Sequence, residues 1–257
     1  MKSYVFFDID GTLLPEGELH IPQNTVNAIK KLKVNGHVPF ICTGRCYHQA
    51  KQYIEEIGAQ SYIVSNGQEI NLLDKEIYTY DLSNKEKEFL IKLLKDTPLN
   101  WGYETRENIY LMELPGVEQV KKQIAGYGIM DVKVGSDKLS GQLKQIWAFG
   151  SDEEIKKIEP KLLGKFKFFR WNENSIEIIP LEESKGKAVK KILENSEEKI
   201  KTYAFGDGFN DMELLEVVDV GVAMGNAREE LKAVADYVTE NCTDDGITKG
   251  LKEYNLI

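Results

Sequence analysis

The chain has 257 residues and a formal net charge of −9, a length that suits one compact core with a smaller insert. That charge excludes a nucleic-acid or anionic-membrane surface as the main partner, and no apolar stretch approaches the roughly 20 residues of a membrane span. Three cysteines without paired metal-site spacing, and a start that runs straight into an apolar strand, predict a reduced, cytoplasmic protein without a cleavable leader.

Tyr4 to Phe7 is β-branched or aromatic without alternation, the pattern of a parallel strand buried on both faces. Pro22 to Asn35 then places Val26, Ile29 and Leu32 at helical spacing, with Gly36 past the end. Val38 to Cys42 reads as a second buried strand, Tyr47 to Ile57 as a helix stopped by Gly58, and Tyr62 to Val64 as a third strand before a Ser65-Asn66-Gly67 turn. Glu69 to Leu73 and Glu76 to Tyr80 form a hairpin around Asp74-Lys75. Strand and helix alternating in this way predict an α/β, Rossmann-like doubly wound sheet that is mainly parallel.

Near Leu82 the pattern changes to helix, strand, strand. Asn84 to about Lys95 is helical, Asn100 to Thr105 and Asn108 to Leu114 are strands, and Val117 to about Tyr127 is helical. Lys144 to Phe149, Asp152 to Leu163, Lys165 to Trp171 and Ser175 to Ile179 repeat the scheme, which is that of an α+β layer with an antiparallel sheet. After Pro180 the core pattern returns: helix from Ser184 to about Glu194, strand Thr202 to Phe205, helix Asp211 to Val217, strand Asp219 to Ala223 and helix Ala227 to Ala235. The expected organisation is a core of residues 1–81 and 181–257 interrupted by an α+β cap of residues 82–180.

Four stretches on this core carry chemistry. Asp8 and Asp10 stand two apart at the end of the first strand, so both carboxylates can aim at one spot beyond its carboxyl end, where open α/β sheets bind ligands. The bland reading is an Asp-Gly turn. Thr43-Gly44-Arg45 ends the second strand with a hydroxyl, exposed backbone N–H groups and a guanidinium, a set that suits a tetrahedral anion; alternatively Thr43 only caps a helix and Arg45 is solvated. Ser184-Lys185-Gly186 opens a helix with a cation against the positive end of the helix dipole, an arrangement that needs compensation. Gly206-Asp207-Gly208-Phe209-Asn210-Asp211 follows a strand, with glycines that let the backbone approach a ligand and Asp207 and Asp211 able to face the same way; the bland reading is a loop with Asn210 capping the next helix. Several carboxylates converging on one rim require a hard cation among them, and all-oxygen ligation suits Mg²⁺. His20, His37 and His48 show no ligand spacing.

With these motifs in order, the chain resembles the haloacid dehalogenase superfamily, and within it the Cof-type phosphatases with a class IIB cap. Ala223-Met224-Gly225-Asn226-Ala227 resembles that family's closing segment. The resemblance implies a Mg²⁺-dependent phosphatase acting on a small phosphate ester, a sugar phosphate foremost. Asp8 would be the nucleophile and Asp10 the general acid and base. Asp8, the carbonyl of Asp10 and Asp207 would hold the metal, with Asp211 as ligand or neighbour. Lys185, Thr43 and N–H groups near Gly11 and Gly44 would bind the phosphoryl oxygens, with Asn210 as a further contact. The alternatives are a phosphomutase of hexose phosphates or a non-catalytic phosphate-binding module. The insert's polar and aromatic residues form only a pool of substrate contacts, and oligomeric state is open.

Overall fold

A computed structural model of the protein describes residues 2–136, 139, 141–194, 196 and 199–257. The chain begins β1 (Ser3–Phe7), α1 (Gln23–Val34), β2 (Val38–Cys42), α2 (Tyr47–Ile57), β3 (Ser61–Val64), β4 (Glu69–Leu72) and β5 (Lys75–Thr79). It continues with α3 (Asn84–Lys95), β6 (Asn100–Thr105), β7 (Ile109–Leu111), α4 (Val117–Ala125), β8 (Val132–Val134), β9 (Leu143–Phe149), α5 (Asp152–Leu162), β10 (Phe166–Asn172) and β11 (Ser175–Pro180). The last stretch holds α6 (Lys185–Glu194), β12 (Lys201–Gly206), α7 (Met212–Val217), β13 (Val220–Ala223), α8 (Glu229–Val234), β14 (Tyr237–Val238) and α9 (Gly246–Glu253).

Two compact units result. The first comprises Met1–Arg45, Ala50–Thr79 and Ser184–Ile257; the second comprises Tyr80–Glu183 with Cys46–Gln49. The first unit carries an eight-stranded sheet in the order β14-β13-β12-β1-β2-β3-β4-β5. Its pairs from β14 to β3 are parallel, and β4 and β5 return antiparallel at one edge, where Leu73 and Asp74 turn with positive φ. β1 lies at the centre, and every residue of it is buried, which explains its unbroken apolar run. α1 covers the sheet with Val26, Ala28, Ile29 and Leu32 and ends before Gly36 at φ 87°.

Register then decides where the strands stop. Phe7 pairs with both Phe205 of β12 and Ile41 of β2. Asp8, one residue beyond Phe7, and Asp207 and Thr43, two beyond Phe205 and Ile41, therefore leave the sheet along one carboxyl-end edge.

The second unit has a six-stranded sheet in the order β10-β11-β9-β6-β7-β8. Its pairs are antiparallel as expected, except that β7 and β8 run parallel. One face packs Trp101, Tyr103, Ile146 and Ile178 against Leu90 and Leu94 of α3 and Ile155 and Ile158 of α5. Opposite, Trp147 and Phe149 join Val120 and Ile124 of α4. Both α3 and α5 begin with full capping boxes, Ser83 with Glu86 and Ser151 with Glu154.

Candidate active site

Asp8 is 6% exposed, and its Oδ1 accepts a bond of 2.8 Å from Lys185 Nζ. Lys185, wholly buried at the start of α6, gives a second bond of 2.7 Å to Asp211 Oδ1. Its misplacement against the helix dipole thus has its compensation: two carboxylates. The preceding Ser184 hydroxyl accepts the Lys187 N–H at 3.1 Å and donates to Glu213, so the helix start is tied down without help from Lys185.

Asp207 leaves β12 and Asp211 closes the short turn after it. Asp211 Oδ2 accepts the backbone N–H groups of Asp207 at 3.1 Å and Gly208 at 3.0 Å. Both oxygens of Asp211 are therefore engaged, one by Lys185 and one by its own loop. Asp207 Oδ1 accepts from the Thr12 hydroxyl at 2.9 Å. The carboxylates of Asp8, Asp207 and Asp211 each offer an oxygen within 4.8 Å of the others. Gly11 makes the approach possible: it sits at φ 73°, and a Cβ there would lie 2.2 Å from Asp207 Oδ2.

Asp10 stands apart from this trio. Arg45 clamps its carboxylate with two bonds, Nε to Oδ2 at 2.8 Å and Nη2 to Oδ1 at 2.6 Å, and the Arg45 guanidinium lies 5.2 Å from the Tyr53 ring centre. The alternative of a solvated Arg45 fails, since its side chain is only 11% exposed. Thr43 is buried, and its hydroxyl accepts the Arg45 N–H at 3.2 Å. The reading of Asn210 as a helix cap fails too: α7 starts after Asp211, and the Asn210 amide instead donates to Asn66 Oδ1 at 3.1 Å. Asn226 donates to the Gly11 carbonyl at 2.8 Å and accepts the Cys242 N–H at 2.9 Å.

Burial drives the Asp8 carboxyl well above its ordinary range; Lys185 offsets part of this, while Asp211, Asp207 and Asp10 add to it. Burial likewise raises Asp207, helped by Asp211, to about 7. For Lys185 burial alone would favour losing the proton, but Asp211 and Asp8 outweigh it and hold the ammonium. Cys42 beside them is pushed up by burial and stays a thiol. The trio thus has more negative capacity than one lysine neutralises. An all-oxygen donor set with surplus negative charge fits a hard divalent cation, with oxygens of Asp8 and Asp207 the ones left to hold it.

Thr12, Asn66 and Asn226 enter this site beyond the residues expected from sequence, and Arg45, read there as part of an anion-binding set, holds Asp10. Arg45 and Asn226 lie inside motifs already quoted, and Thr12 follows Gly11 in the first of them. Asn66 had only a turn signal.

Residues 5–251 match the family of haloacid dehalogenase-like hydrolases. The chain is 34% identical to the phosphatase candidate YkrA of Bacillus subtilis, over 100% of this chain and 99% of that one. It is 27% identical to 5-amino-6-(5-phospho-D-ribitylamino)uracil phosphatase YitU of the same organism, over 98% of each. Among solved structures, the subclass IIB sugar phosphatase BT4131 aligns with a TM-score of 0.85 and 28% identity, over 99% of this chain and 100% of that one. The chain belongs to the haloacid dehalogenase-like hydrolase family. Within it, the protein falls in the class of phosphoric monoester hydrolases. Among the described residues, no helix is long and apolar enough to cross a membrane.

Proposed function

We propose that the protein is a Mg²⁺-dependent phosphatase of a small phosphorylated metabolite, a sugar phosphate foremost, and that the phosphoryl group is carried on Asp8. The observation that carries this is the convergence of buried Asp8 and Asp211, tied by Lys185, with half-buried Asp207. Mg²⁺ held by Asp8, Asp207 and the Asp10 carbonyl would neutralise phosphate oxygens and let two anions meet. Asp211, with both oxygens already engaged, would position Lys185 and the Asp207 loop rather than bind metal.

The chain's own residues supply the rest. A carboxylate oxygen of Asp8 attacks phosphorus, the bond from phosphorus to the ester oxygen breaks, and Asp10 gives that oxygen its proton. Water then attacks the aspartyl-phosphate while Asp10 takes a proton back, releasing phosphate and restoring Asp8. In the resting state Arg45 keeps Asp10 in an ion pair. The acid step needs Asp10 protonated and released from that pair, and its side chain, 52% exposed, has room to turn. Lys185, the Thr43 hydroxyl, the Asn210 amide and N–H groups near Gly11 and Gly44 would hold the phosphoryl oxygens, since phosphoryl transfer is mainly positioning and charge neutralisation. The sugar-phosphate preference leans on BT4131 and is the part a screen must decide.

The test is a panel of phosphorylated metabolites scored for phosphate release in Mg²⁺, with chelator and Asp8→Asn as controls. Release that stops in chelator, returns with Mg²⁺ and is lost in a folded Asp8→Asn supports the reading. Turnover retained in Asp8→Asn, or isomerisation of a hexose phosphate without phosphate release, overturns it.

A further inference from the structure

After β3, three consecutive residues hold φ in the left-handed region: Ser65 at 50°, Asn66 at 52° and Gly67 at 100°. For serine and asparagine each such angle is strained and persists only where the surroundings enforce it. This is not a solvated turn, because Ser65 and Asn66 are each 1% exposed.

What enforces it is the site itself. The N–H of Ser65 donates to the Arg45 carbonyl at 2.8 Å, and that of Asn66 to the Thr43 carbonyl at 3.1 Å. Gln68 Nε2 holds the Ser65 carbonyl at 2.9 Å. On its side-chain end, Asn66 Oδ1 accepts the Asn210 amide at 3.1 Å. A Cβ on Gly44 would lie 3.2 Å from the Asn66 amide, and one on Gly67 would lie 2.3 Å from the Ser184 carbonyl. One short turn therefore touches the Thr43–Arg45 loop, the Asn210 loop and the residue before Lys185.

We propose that Asn66 is a positioning residue of the phosphoryl pocket, setting the Asn210 amide and the Gly44 backbone against each other; this rests on the phosphatase reading above. The left-handed backbone turns a short amide back into the gap between the two loops, and asparagine tolerates that conformation better than most side chains. Aspartate would keep the shape but add a negative charge beside a phosphate. Glycine would keep the backbone but leave the Asn210 N–H unheld.

The experiment compares Asn66→Gly, Asn66→Asp, Asn210→Ala and the double variant Asn66→Gly/Asn210→Ala. It uses a phosphate ester that the wild type hydrolyses and inorganic phosphate as a competing ligand. Asn66→Gly keeps its melting temperature, since glycine relaxes the strain, while kcat/KM falls about 10–10²-fold, the scale of a misplaced binding group. The double variant falls no further than the worse single, because both remove one coupled interaction; a general structural defect would multiply the losses. Asn66→Asp binds inorganic phosphate at least about 10-fold more weakly than the wild type, by repulsion. Turnover of Asn66→Gly within twofold of wild type, multiplying losses in the double, or unchanged phosphate binding by Asn66→Asp overturns the inference. A wild type that hydrolyses no ester overturns the phosphatase reading instead.

Discussion

Two of the described lysines are wholly buried, one in each unit, and their partners differ in access to water. Lys144 of β9 bonds Asp81 at 2.8 Å and the Tyr80 carbonyl at 2.8 Å, and the Asp81 side chain is 31% exposed. Lys185 bonds Asp8 and Asp211, whose side chains are 8% and 0% exposed, with Asp207 beside them. Asp81 stays partly hydrated. The carboxylates around Lys185 have no such relief, and the raised Asp8 and Asp207 record it. A buried ion pair with a wet partner anchors chain; a dry cluster with surplus acid stores electrostatic potential that a ligand can use.

The sharpest break of that contrast comes from removing each lysine. Lys185→Met should lower turnover by about 10³-fold, the upper range for one preorganised charge at a transferring group. Lys144→Met should leave turnover within about twofold and cost about 1–3 kcal/mol of stability, because a buried acceptor loses its donor. Steady-state kinetics and thermal melts on both variants decide it; equal losses of activity would erase the distinction.

Asp10→Asn tests the carboxylate outside the trio of Asp8, Asp207 and Asp211. Turnover of a sugar phosphate, whose alkoxide leaves poorly, should fall about 10²-fold, and turnover of p-nitrophenyl phosphate much less, because a phenolate hardly needs the acid. Equal losses on both esters would remove the acid role.

A smaller effect concerns pH. Asp207 binds its proton more tightly in the metal-free fold than in the unfolded chain, with a value near 7 against about 4. Its contribution to stability is therefore complete below the unfolded value and is lost as pH rises through about 7. Mg²⁺ takes the ionised carboxylate, so the rise in melting temperature on adding Mg²⁺ should grow between about pH 6 and pH 8. A rise that shrinks over that interval would contradict the surplus of acid.

The smallest changes belong to the second unit's surface. Ser83→Ala and Ser151→Ala each break a capping box and should cost about 1 kcal/mol in melting experiments. Turnover should stay the same; a loss there would mean that these helix starts do more than hold α3 and α5.

The sequence reads best where one strand determines the outcome. Asp8, Asp207 and Thr43 could be placed because each ends a buried run, and neighbouring parallel strands end together. Lys185 stood out because it violates the helix dipole. The hairpin of β4 and β5 followed from alternation around Asp74. Three-residue β8, two-residue β14 and the short α9 escaped, since runs of that length carry too little periodicity. Asn66 escaped for another reason: its partner Asn210 is 144 positions away, and only the left-handed turn aims one at the other. The same holds for Arg45 and Asp10, whose pairing depends on two loops meeting.

The central place of β1 has a consequence for synthesis. Its neighbours on one side follow at once, but its other neighbour, β12, is translated only after the whole second unit. A nascent chain emerging from the ribosome therefore presents Ser3–Phe7 with one bare edge, while the antiparallel unit downstream, closed by nearer contacts, can already take shape. The carboxyl-end edge beside Asp8 is complete only with Lys201–Gly206, so a translation product truncated before β12 would carry Asp8 and Lys185 without Asp207 and Asp211.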